Sequence, residues 1–76
     1  MTNTNTYNGW ANYHTWNVAL YIQNDALYYD MAKDYDSYEV FAEVLSECFS
    51  PITPDGVSYT DPSLDVGELN EMLAEL

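Results

Sequence analysis

Positive charge is what this chain has least of. Lys33 is its one lysine and it has no arginine, against thirteen carboxylates, for a formal charge of −12. Almost no internal ion pair is available, so the carboxylates mostly repel one another. Charge that far from zero favours solubility and opposes compactness. Direct binding of DNA or RNA needs cations along the phosphate track, and one lysine cannot supply them. The same deficit argues against an anionic membrane surface as a partner. Cysteine is nearly absent as well. Cys48 alone excludes an internal disulfide and makes a reducing intracellular setting the default. With one cysteine and one histidine, a structural zinc site fails on ligand count. No run approaches 18 apolar residues, so no transmembrane helix is expected. The opening MTNTNTYNG has neither a basic nor an apolar region, so no secretory leader is expected.

Aromatic residues offset these shortages. The chain has 76 residues, which is one small domain, and a chain that short buries only about 60% of its unfolded surface. Aromatics make up 16% of it, and each can bury roughly 150–250 Å². A disordered acidic tail would be poor in them. The stretch Trp10 to Asp25, WANYHTWNVALYIQND, holds both tryptophans, the only histidine and no charge before Asp25. It is the expected scaffold of the core.

Residues 1–8 read as a flexible polar leader and 9–76 as a single helical domain. Asn8-Gly9 is a turn signal. Asn12 or Thr15 can cap a first helix that is apolar nearly all round, as suits an element packed on several sides. A strand is the rival reading, since Val, Tyr and Ile favour sheets. Asn24-Asp25 reads as a stop and a new start, with Leu27, Tyr28, Met31 and Ala32 at helical spacing to an end near Tyr35. In the third helix Asp36-Ser-Tyr-Glu39 has capping-box spacing. Tyr38, Phe41, Leu45, Cys48 and Phe49 form its apolar stripe, extended by Val40 and Val44, and Pro51 ends it. Pro51 to Ser63 holds all three prolines and a Thr53-Pro-Asp-Gly56 turn. This is an ordered loop expected to pack Ile52, Val57 and Tyr59 onto the helices. A last helix begins at Ser63 or Asp65, where Asp65-Val-Gly-Glu68 again has capping-box spacing, and buries Val66, Leu69, Met72, Leu73 and Leu76. The fold class is therefore mainly α, three to four short helices with one Pro/Gly-rich loop.

Asn8-Gly-Trp-Ala-Asn-Tyr13, then Thr15-Trp-Asn-Val-Ala-Leu-Tyr-Ile22 and Asn24-Asp25, resemble the opening of a small domain of bacteriophage and mobile-element proteins, N-G-W-x-N-Y-x-T-W-N-V-A-L-W-I-x-N-D. Tyr21 stands where that pattern has tryptophan, and His14 where a glutamate is usual. The resemblance covers about a quarter of the chain. It implies provenance in a phage or mobile element and carries over no functional residue.

The candidate functional groups are carboxylates. Glu39, Glu43 and Glu47 stand at i, i+4 and i+8, so they repeat about every 6 Å along a helix. Glu68, Glu71 and Glu75 form a second row, and Asp30 and Asp34 flank the second helix. Like-charge i,i+4 pairs cost only about 0.2–0.5 kcal/mol each, and solvated helix faces usually mix signs. The unmixed rows point to a partner-binding surface that imitates the phosphates of a nucleic acid. The expected partner is a host protein with a basic groove, a defence nuclease or an RNA-guided complex in the host cytoplasm. The alternative is an accessory that binds a protein through exposed aromatics, with acidity serving only solubility. No catalytic site is expected, since His14 has only Thr15 and Cys48 as thin candidate partners. Cys48 reads as a small buried hydrophobe. Asp34-Tyr-Asp-Ser-Tyr-Glu lacks the glycine and spacing of a calcium loop. No cofactor and no metal is expected.

Overall fold

The computed structural model describes residues 7–76. It contains four helices: α1 (Tyr13–Asn24), α2 (Ala26–Ala32), α3 (Tyr38–Cys48) and α4 (Val66–Glu75). Helix α1 packs against α2 and α4, and α3 packs against α4. The architecture is mainly α, as expected, and the strand reading of the first element fails.

The chain enters through a tight turn. Asn8 and Gly9 have φ of 49° and 89°, the left-handed pair that a type I′ turn requires and Asn-Gly best tolerates. Tyr7 and Trp10 exchange both backbone hydrogen bonds across it, at 2.7 and 2.8 Å. Tyr7 and Asn8, the last residues of the expected leader, thus belong to the turn; residues 1–6 lie outside the described residues. Asn12 caps α1, its Oδ1 accepting the Thr15 N–H and the Thr15 hydroxyl, each at 2.8 Å. Asp25 closes α1 and opens α2. Its N–H donates to the Tyr21 carbonyl, while its Oδ1 accepts from the Leu27 and Tyr28 N–H groups at 2.9 and 3.2 Å.

The expected capping boxes are corrected by tertiary partners. At α3 the cap position is Ser37, not Asp36, and Ser37 makes no side-chain cap bond. Asn70 of α4 reaches across instead, its Oδ1 accepting the Tyr38 N–H at 2.7 Å. At α4, Asp65 does cap, accepting the Glu68 N–H at 3.1 Å. The reciprocal half is absent because the Asp65 N–H donates to the Thr15 hydroxyl at 2.9 Å, and Glu68 turns elsewhere.

The core joins Val18 and Ile22 of α1, Phe41 and Leu45 of α3 and Leu69 and Met72 of α4. Tyr38 and Tyr59 are its largest fully buried side chains, and the Tyr38 hydroxyl donates to the Tyr59 carbonyl at 2.6 Å. Both tryptophans sit at its margin. Trp10 packs on the core half-buried, and Trp16 joins Tyr7 and Tyr13 in an aromatic cluster on the outer side of α1. Phe49 and Cys48 are exposed, which corrects their expected burial. Val40 is also exposed; at about 100° per residue it points roughly 150° away from the middle of the Phe41–Ala42 face. In the loop, Gly56 donates to the Thr53 carbonyl at 2.8 Å and adopts φ of 90°. Val57 and Tyr59 pack inward as expected, while Ile52 stays exposed.

Candidate functional site

The thirteen carboxylates divide by what the fold asks of them. Five accept hydrogen bonds within the domain. Asp25 and Asp65 cap α2 and α4, and Asp61 accepts the Ser63 N–H at 2.7 Å. Glu68 Oε1 accepts the Ala11 N–H at 2.7 Å, tying α4 to the segment before α1. Asp55 Oδ2 accepts the Asn17 amide at 2.7 Å and the Tyr21 hydroxyl at 3.1 Å. The Ser63 N–H holds the Asp61 carboxyl below the ordinary aspartate range against the opposing effect of desolvation, with lesser help from the Ser63 side chain and then His14.

The other eight carboxylates are Asp30, Asp34, Asp36, Glu39, Glu43, Glu47, Glu71 and Glu75. All are exposed, and their side chains accept no hydrogen bond from the other described residues. Seven of them are among the residues expected from sequence to bind a partner. Glu68 is the exception: it is half-buried and holds the fold together. Asp36 takes its place in the exposed set, since failing to cap α3 leaves its carboxylate free. The single lysine does not neutralise this surface at close range; Lys33 Nζ stands over the Tyr29 ring, 4.7 Å from its centroid.

The two expected glutamate rows line different clefts. Glu39 and Glu43 share one of about 320 Å³ with Asp61 and Pro62. Glu68, Glu71 and Glu75 share another of about 340 Å³ with Trp10 and Gln23. The α3 row is therefore extended by the Asp61 loop, and the α4 row by the N-terminal turn and the end of α1.

A polar network beneath the loop escaped the sequence reading. Asn17 is fully buried in the apolar run of α1. Its amide donates to Asp55, and its Oδ1 accepts the Thr53 hydroxyl at 2.7 Å. Thr53 in turn accepts the Val57 N–H at 3.1 Å. A single asparagine amid apolar neighbours was the available signal, since a buried amide must find partners. His14 is half-buried with its ring edge-on to Tyr13, centroids 5.7 Å apart. Among the described residues, no three histidine, cysteine or carboxylate side chains gather closely enough to hold a metal ion, and no helix is long and apolar enough to cross a membrane.

A family of unknown function (DUF7249) matches residues 3–76, and the chain belongs to that family. No curated protein and no solved structure matches it.

Proposed function

We propose that this member of a family of unknown function is a non-enzymatic acidic protein of a phage or mobile element. It binds and blocks a host nucleic-acid-binding protein by occupying the basic groove meant for DNA or RNA. Its place of action is the host cytoplasm, and its targets belong to the class of defence nucleases and RNA-guided complexes. The observation that carries the reading is the division of carboxylates: eight are exposed and unused by the fold, in a chain with one lysine. Such unneutralised charge works against compactness, so its retention calls for a use outside the fold. Glu39, Glu43 and Glu47 occupy one line of α3 at intervals of about 6 Å. Asp30, Asp34 and Asp36 continue the negative charge through α2 and the connection to α3, and Glu71 and Glu75 add a separate patch on α4. The opening's resemblance to phage and mobile-element domains supports the proposed provenance.

A second reading rests on apolar exposure. Phe49 and Ile52 are both nearly half exposed, and aromatic anchors dominate many protein interfaces. The two readings part on salt: a charge-led complex weakens steeply as ionic strength rises, and an aromatic-led one hardly responds. The test is capture of host proteins on the immobilised chain at low and high salt, with added DNA or RNA as competitor. Release by salt and by nucleic acid supports mimicry; retention through both refutes it.

A further inference from the structure

The three rings of Tyr21, Tyr28 and Tyr59 meet at a cleft of about 360 Å³, alongside Asp25, Thr53 and Pro54. Tyr28 and Tyr59 stand edge to face, with centroids 6.3 Å apart and planes at 79°. Tyr21 is pinned by its bond to Asp55, which leaves lone pairs of its own oxygen free to accept. Asp25 uses Oδ1 for both backbone bonds at the start of α2, and its Oδ2 accepts from none of the other described residues. Tyr59 is only 1% exposed, yet its hydroxyl bonds to no other described group. Among the described residues every sealed polar side-chain atom has a partner, so this hydroxyl is not sealed, and Tyr59 lines the cleft. Its pKa is pushed up to about 12, first by burial and then by Tyr28, Asp25 and Tyr21, all three of which line the same cleft.

The half-buried rings of Tyr21 and Tyr28, a free carboxylate oxygen and a hydroxyl able to accept select for an organic cation. Ring faces attract cations, and a molecule of charge −12 disfavours anions. Lysine and arginine differ here. A guanidinium is planar, stacks on aromatic faces and directs several N–H groups in one plane, whereas an ammonium is a strongly hydrated point charge.

We propose that the Tyr21–Tyr28–Tyr59 cleft receives an arginine side chain of the basic partner, its guanidinium against the Tyr21 and Tyr28 rings and donating to Asp25 Oδ2 and the Tyr59 hydroxyl. The identity of the partner rests on the acidic-surface reading; the chemistry of the cleft does not. The test titrates N-acetyl-arginine amide into the intact chain and follows the tyrosine ring resonances by NMR, with the lysine and citrulline amides as comparisons. Arginine shifts the Tyr28 and Tyr59 signals saturably, and uncharged citrulline binds about tenfold more weakly or worse. Asp25→Asn, which keeps the helix cap because Asn caps as well as Asp, weakens arginine binding about tenfold. Tyr59→Phe keeps the ring and also weakens it. Glu39→Gln, Glu43→Gln and Glu47→Gln together leave it within about twofold, because those residues lie outside the cleft. Equal binding of citrulline, or indifference to Asp25→Asn, overturns the cation site, and equal binding of lysine overturns the guanidinium assignment. A loss in the triple variant as large as in Asp25→Asn would show diffuse charge attraction and also overturn the site. Arginine binding that survives while DNA fails to displace captured proteins would sink the mimicry reading alone.

Discussion

At the scale of single residues, two buried tyrosines, Tyr38 and Tyr59, contribute to stability in ways that can be measured. The Tyr38 hydroxyl is the donor to the Tyr59 carbonyl, and Tyr38→Phe leaves that carbonyl unpaired in the core. The expected loss is about 1–3 kcal/mol, read as a lower midpoint of urea unfolding with an unchanged slope. Both tyrosines also couple stability to alkaline pH. Burial raises the pKa of Tyr38, and burial followed by its tyrosine and aspartate neighbours raises that of Tyr59 to about 12. Unfolded phenols ionise near pH 10, so their contribution is complete below that pH and is lost as pH rises toward and past 12. Unfolding measured from pH 8 to 12 should show falling stability above about pH 10. The fall should be shallower in Tyr59→Phe. The burial of both rings was legible beforehand, but not the bond between them, because Tyr38 and Tyr59 are 21 positions apart and nothing local marks them as partners.

At the scale of elements, the sequence disclosed where helices lie better than what closes their ends. Of the two caps read for α1, Asn12 is the one used, and Asp25 marks the stop and new start, since their bonds run to N–H groups two or three residues on. The box expected at α3 does not form and the one at α4 forms by half, because groups of the first turn find distant partners instead. Asn70 takes the Tyr38 N–H, Thr15 takes the Asp65 N–H, and Glu68 goes to Ala11. Asn70→Ala should therefore cost about 1 kcal/mol or more, and Ser37→Ala close to nothing, although Ser37 holds the cap position. The glutamates of α4 divide in the same way. Glu68→Ala should destabilise by about 1–2 kcal/mol through the orphaned Ala11 N–H, whereas Glu71→Ala and Glu75→Ala should stay within about 0.5 kcal/mol. Thermal melts of the five variants decide both comparisons. The apolar stripes were legible through their period, and they failed at Val40, Cys48 and Phe49, where burial depends on what lies opposite.

At the scale of the whole molecule, net charge acts on stability, and under the proposed function on binding too, with opposite dependence on salt. Screening shortens from about 30 Å at 0.01 M to about 3 Å at 1 M, so added salt relieves self-repulsion and should raise the melting temperature. A gain of about 1 kcal/mol corresponds to roughly 4–8 °C in a domain this small. The triple change Glu39→Gln, Glu43→Gln and Glu47→Gln removes two like-charge i,i+4 pairs and should leave the fold intact or slightly firmer. Composition alone made the acidity plain. The identity of the free carboxylates needed the fold, which withdrew Glu68 and released Asp36. The most direct test compares host proteins captured at low salt by the intact chain and by this triple variant, with elution by double-stranded DNA or RNA. The acidic-surface account predicts that nucleic acid releases the captured protein from the intact chain and that the triple variant captures at least tenfold less. Equal capture by the variant, held against both nucleic acid and high salt, would contradict it.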